Sequence, residues 1–126
     1  MSGPFIFIAT NRLKPGRLEA ERERVPGLVE FIDAHEPRLI AFHEYASEDG
    51  TEVTVVQIHP DAASMAFHME TVAERAASAY AETLEATTGI QVFGKPSEAI
   101  VKMLRRQAGA GLPLSAKPHY LGGFTR

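Results

Sequence analysis

The sequence predicts an α+β protein of ferredoxin-like βαββαβ order, with an extra C-terminal helix and tail, assembled as a two-fold dimer. Three observations carry this. Two extended runs flank Asp49-Gly50 and read as a hairpin. A helical stretch and a short β-rich run stand on either side of that hairpin, which completes the split βαβ order. Every strand is substantially apolar on both faces, although the helices of this unit cover only one face.

The elements follow in order. "PFIFIAT" is rich in β-branched and aromatic residues and predicts a first strand from about Pro4 to Thr10, with Phe5, Phe7 and Ala9 on one face and Ile6 and Ile8 on the other. "KPGRLEAERERVPGLVEFIDAHEP" predicts a helix whose buried face is Leu28, Val29, Phe31 and Ile32. Glu19–Arg22 and Glu21–Arg24 are i,i+3 pairs expected on its solvated side. Pro26 cannot continue a helix unbroken, so a kink or two short helices are expected there. Pro37 ends the element, with His35 complementing the helix C-terminus.

A two-residue turn at Asp49-Gly50 pairs Glu48 with Thr51, His43 with Val56, and Phe42 with Gln57. Ala41, His43, Tyr45, Thr54, Val56 and Ile58 then share one face, and Phe42, Glu44, Val53, Val55, Gln57 and His59 the other. Asp61 is the expected N-cap of a second helix running to about Ala86, with Gly89 as its stop. "GIQVFGK" predicts a short fourth strand, and Ser97 caps a third helix, "EAIVKMLRRQA". Lys102, Arg105 and Arg106 on that helix are expected to be a solvated face. Residues 1–108 form the expected domain. The tail, 109–126, carries Leu112, Leu114, Tyr120, Leu121 and Phe124 and is expected to bind a partner subunit as a strap.

Bulk composition narrows the function. A chain of 126 residues makes one domain and buries about 65% of its extended-chain surface without a disulfide or metal. With no cysteine, a thiolate nucleophile and a Cys-ligated metal are excluded. No Trp is present, and the formal net charge is −3 with mixed signs, so no nucleic-acid partner is expected. No apolar run approaches the ~20 residues of a membrane span, and "MSGPFIFIATNRL" lacks the basic start of a signal peptide; a cytoplasmic protein without membrane attachment is expected.

His68 is the leading candidate residue. In "ASMAFHMETVAERAASAY" it borders the helical stripe of Met65, Met69, Val72, Ala76 and Tyr80. An imidazole beside thioethers needs partners for its nitrogens, so it is either a satisfied core residue or one facing a cavity. His43 and Tyr45 either line that cavity or lie at a dimer interface. Gln57, His59 and Glu44, on the other face of the hairpin, are a second possible polar site. No histidines stand at metal-ligand spacing, and no metal is expected.

The chain resembles the dimeric α+β barrel proteins of the antibiotic-biosynthesis-monooxygenase type over about residues 4 to 98. Many members end the third strand in Glu-x-Trp and place a His on the next helix, eleven residues after the Glu. Here Gln57 and His59 stand at the Glu and Trp places and His68 at the His place. "GKPSEAI" is similar to the family's usual ending. The resemblance implies a cofactor-independent monooxygenase acting on a small aromatic, phenol or quinol. His68 would be its catalytic base, with Asn11, His43, Tyr45, Met65, Met69 and Val72 around the substrate. The alternative is a non-catalytic dimeric barrel that binds a small apolar ligand.

Overall fold

The computed structural model describes residues 3–109 and 111–126; Met1 and Ser2 of the expected domain and Ala110 of the expected tail lie outside the described residues. The elements run β1 (Phe5–Leu13), α1 (Leu18–His35), β2 (Ala41–Ala46), β3 (Glu52–His59), α2 (Ala62–Thr71), α3 (Ala73–Glu82), β4 (Leu84–Phe93), α4 (Glu98–Ala108) and β5 (Leu114–Lys117). They form one sheet of order β2-β3-β1-β4-β5. The first four strands are the antiparallel ferredoxin-like sheet, and β5 adds a parallel edge beside β4 after the α4 crossover.

The core lies on one face. Phe5, Phe7, Ile90 and Val92 of the sheet pack with Met65 of α2 and Ile100 and Leu104 of α4. Leu13, Val53, Ala79 and Leu84 make a second cluster at the other end of the same face. The opposite face carries Ile6, Ile8, Val56 and Ile58, each only half buried.

The hairpin register matches expectation: His43 pairs with Val56 and Phe42 with Gln57. Its turn differs. A two-residue type I′ turn needs positive φ at both central residues, whereas among the described residues no non-glycine has positive φ. The Gly50 N–H donates to Ser47 O, Gly50 alone is left-handed at φ +72°, and Ser47 N–H donates to Glu52 O. Asp49 holds this wider loop by accepting from Ser47 Oγ, Thr51 N and Thr51 Oγ1.

Three further expectations are corrected. Pro26 lies inside one continuous helix, α1, and does not open a second short helix. The helix after Asp61 divides at Val72 into α2 and α3, and it ends at Glu82 rather than near Ala86. Strand β4 therefore begins at Leu84, and Gly89 sits within it, paired with Thr10, rather than ending a helix. The alanine-rich stretch favours helix by propensity, but residues 84–88 complete the pairing of β1, and tertiary pairing wins. Asp61 does cap α2, its Oδ1 accepting from Ser64 N at 2.9 Å. Ser97 stands at the start of α4, its Oγ accepting from Ile100 N at 3.4 Å.

Candidate functional site

The helices and the core face of the sheet border a half-open cavity of about 260 Å³. Its wall is chiefly apolar, with Phe7, Leu28, Ile32, Phe42, Met65, Met69 and Val72. A few polar groups interrupt it at separated points: Asn11, Arg24, Glu44, Gln57, His68, Tyr80 and Thr87. An apolar cleft with a small number of placed polar groups is the usual form of a small-molecule site.

His68 reaches the cavity from the last turn of α2. Its Nδ1 stands 2.8 and 3.0 Å from the two carboxylate oxygens of Glu36, the residue that ends α1. A carboxylate only accepts, so Nδ1 carries the proton and donates it. Nε2 is left as the basic nitrogen. The dyad is shielded from solvent, with Glu36 4% and His68 5% exposed. Burial pushes the His68 pKa down, against the charge and hydrogen bond of Glu36, and the net direction is down. The ring is therefore neutral at pH 7 with its tautomer set by Glu36, the state a general base requires. Sequence reasoning missed Glu36, because nothing local marks a glutamate at a helix end 32 residues from its partner.

Behind His68 lies a second buried imidazole. The ring centroids of His59 and His68 are 5.9 Å apart. His59 Nδ1 lies 2.7 Å from Ser64 Oγ and Nε2 lies 3.0 Å from Gln57 Oε1. Gln57 Oε1 accepts, so Nε2 carries the proton and Ser64 donates to Nδ1. Burial, with a smaller contribution from the nearby His68, lowers the His59 pKa to about 4. Its nitrogens are satisfied, and it supports the wall instead of facing the ligand space.

Glu44 and Arg24 line the cavity away from His68, and the Glu21 carboxyl lies behind them, outside the lining. Glu21 of α1 accepts from Arg24 Nε at 2.8 Å, Arg24 Nη2 at 2.7 Å and Thr83 Oγ1 at 2.7 Å. This pair was expected on a solvated side, but Glu21 is 2% exposed. Burial raises its pKa, but the hydrogen bonds from Arg24, Glu44 and Thr83 and the charge of Arg24 outweigh that and lower it to about 2. Glu44 of β2 is raised to about 9 by burial and by the neighbouring Glu21. The two share one proton, held on Glu44 at neutral pH.

The third polar group surrounds Asn11. Its Oδ1 accepts from Tyr80 OH at 3.0 Å and Thr87 Oγ1 at 2.6 Å, and Tyr80 and Thr87 also touch each other. Thr87 pairs with Asn11 because a bulge at Thr88 shifts the β1–β4 register and turns its side chain to the core face.

Of the residues predicted around the substrate, Asn11, Met65, Met69 and Val72 line the cavity with His68. His43 and Tyr45 do not. They lie on the opposite face of β2, with Tyr45 63% exposed, because side chains alternate along the strand and Phe42 and Glu44 take the cavity side. The Gln57, His59 and Glu44 face, which the sequence separated from the His68 site, is the face that meets it. Among the described residues no cluster of His, Asp and Glu has the form of a metal site, and no helix is long and apolar enough to cross a membrane.

No protein-family profile and no curated protein matches the chain. Solved structures do. MupZ from Pseudomonas fluorescens superposes with a TM-score of 0.74 at 18% identity, over 98% of this chain and 95% of its own. PA3566 from Pseudomonas aeruginosa follows at 0.63 and 21%, over 77% and 98%. A protein named antibiotic biosynthesis monooxygenase gives 0.61 and 18%, over 74% and 99%. At these identities the likeness is one of fold: the chain has the ferredoxin-like α+β fold of the antibiotic-biosynthesis-monooxygenase type.

Proposed function

We propose that the chain is a cofactor-independent monooxygenase of a small phenolic or quinolic aromatic. The observation that carries the proposal is the buried His68–Glu36 dyad at the edge of an apolar cavity. A ring in the cavity packs against Phe42, Met65 and Met69, and its hydroxyl hydrogen-bonds to His68 Nε2. His68 takes the hydroxyl proton, and Glu36 stabilises the imidazolium that results. The electron-rich anion gives one electron to O2, the resulting radical and superoxide combine at a ring carbon, and loss of water from that hydroperoxide leaves a quinone. One oxygen atom thus stays on the ring, the other leaves as water, and the substrate supplies every electron. The apolar wall limits water at the reacting pair. The geometry supports the proton-transfer half. The oxygen half is supported by the fold shared with structures that carry the monooxygenase name. Oxygen uptake on adding a panel of phenols and quinols tests it: uptake abolished by His68→Ala supports the reading, and binding of the aromatics with no uptake makes the chain a binder.

The second copy belongs to the same proposal. The half-buried apolar face of Ile6, Ile8, Val56 and Ile58, with Tyr45 beside it, is to be covered by the same face of another chain. Leu121 and Phe124, exposed at the end of the tail, are to strap the partner. The active form is then a homodimer, and light scattering at micromolar concentration should give twice 13.8 kDa.

A further inference from the structure

Gln57 has one end of its amide committed and the other open. Its Oε1 lies 3.0 Å from His59 Nε2, and His59 Nδ1 lies 2.7 Å from Ser64 Oγ. Among the described residues the Ser64 hydroxyl has no other acceptor in reach, so its proton goes to Nδ1. The His59 proton then sits on Nε2, and only an oxygen can receive it. This fixes the Gln57 amide, with its oxygen toward His59 and its NH2 turned the other way. His59 is fully buried behind the wall, whereas Gln57 lines the cavity. The NH2 therefore faces the ligand space.

That NH2 is a donor without an acceptor. Gln57 is 5% exposed, and among the described residues no acceptor lies within hydrogen-bond distance of its Nε2. A buried donor left unpaired is costly, and native structures hold few of them. A ligand oxygen at this point of the wall would pair it. The place matters as well. Gln57 stands opposite Phe42 in the hairpin. The Phe42 and His59 rings each lie 5.9 Å from the His68 ring. The open donor and the proposed base thus serve the same end of the cavity.

We infer that Gln57 is the oxyanion donor of the site: a ligand hydroxyl gives its proton to His68 Nε2 while its oxygen accepts from Gln57 Nε2. The O–H bond breaks, an N–H bond forms on His68, and the electron pair left on oxygen meets the Gln57 N–H. A hydroxyl satisfies both contacts through one atom. An ether oxygen lacks the proton, and a methyl group lacks both proton and lone pair. The ligand class at this end is an acidic hydroxyl, a phenol or an enol. The inference rests on the same cavity and the same His68 base as the proposed function, but not on any reaction with oxygen. The charged and titratable groups around this point are His59 of β3 and His68 of α2, with Glu36 behind His68 at the end of α1. Glu44 of β2 and Arg24 of α1 stand further along the wall.

4-Nitrophenol tests this, because its phenolate absorbs in the visible and its phenol does not. Gln57→Met keeps the length of the side chain and removes the donor. At pH 7 the phenolate-to-phenol ratio of the bound probe should then fall by roughly tenfold or more, the worth of one hydrogen bond to a charged oxygen. 4-Nitrotoluene, which has no hydroxyl, should bind the variant within twofold of wild type. An unchanged ratio overturns the inference. If Gln57→Met does not fold, or binds 4-nitrotoluene differently, the wild-type protein decides through NMR of its side-chain amides. 4-Nitrophenol should move a Gln57 Nε2–H proton downfield and 4-nitrotoluene should not; a shift common to both probes, or absent with both, overturns the inference. If neither probe binds, the inference and the proposed function fall together. Oxygen uptake absent with the Gln57 effect intact sinks the proposed function alone.

Discussion

His68 and Glu36 make an asymmetric pair, and the asymmetry predicts how each variant fails. Glu36→Gln keeps an oxygen to accept from Nδ1 but removes the charge that stabilises an imidazolium. It should fold, and turnover of any accepted phenol should fall by roughly 10²-fold or more, within the range usual for general-base catalysis. His68→Ala leaves the Glu36 carboxylate buried without its donor and should lower stability by about 2–3 kcal/mol in urea denaturation. His59 sets an acid limit. Its folded pKa near 4 is below the unfolded value of 6.5, so between those values the unfolded chain binds more protons. Stability from this group is full above pH 6.5 and falls toward pH 4, by on the order of 3 kcal/mol, and His59→Gln should flatten the acid limb. Glu44 acts in the opposite sense. Its folded pKa near 9 is above the usual 4.5, so its contribution is greatest below pH 4.5 and declines as pH rises toward 9. Above pH 6.5 the His59 contribution is constant, and thermal denaturation should show a downward slope that Glu44→Gln removes.

At the scale of elements, caps and turns set boundaries where local chemistry is strong. Asp61→Ala should cost about 1 kcal/mol, because it removes the acceptor for Ser64 N and the partner of Arg38. Pro26 is the reverse case. It lies within α1 and supplies no N–H to the helix ladder, so Pro26→Ala should stabilise by about 1–2 kcal/mol, part of the gain being lost to the freer unfolded chain. The hairpin register was legible because side-chain alternation and Asp49-Gly50 agree on it. The division at Val72 and the early start of β4 were not. A run such as "AERAASAYAETLEATTG" has strong helical propensity up to the point where β1 offers pairing, and no residue in it announces that point. The bulge at Thr88, which brings Thr87 to Asn11, was hidden for the same reason.

For the whole molecule, the proposed dimer rests on the half-buried apolar face of the sheet. Ile8→Glu places a charge in the middle of that face without touching the core side, so it should halve the mass seen in light scattering while leaving the circular dichroism spectrum intact. Deleting residues 119–126 should weaken the dimer if the tail is a strap. The fold class was readable from order and alternation alone, since each depends on neighbours within a few residues: the hairpin, the helical stretches and the two-faced strands. So was the grouping of His68 with Met65, Met69 and Val72 on one wall, which is a matter of helical spacing. Which face of the sheet meets His68 was not readable. Nor were the Glu36 partner and the proton shared by Glu21 and Glu44. These depend on groups 32 and 23 residues apart in the chain meeting in a dry interior, where burial and neighbouring charge, absent from any local pattern, set protonation.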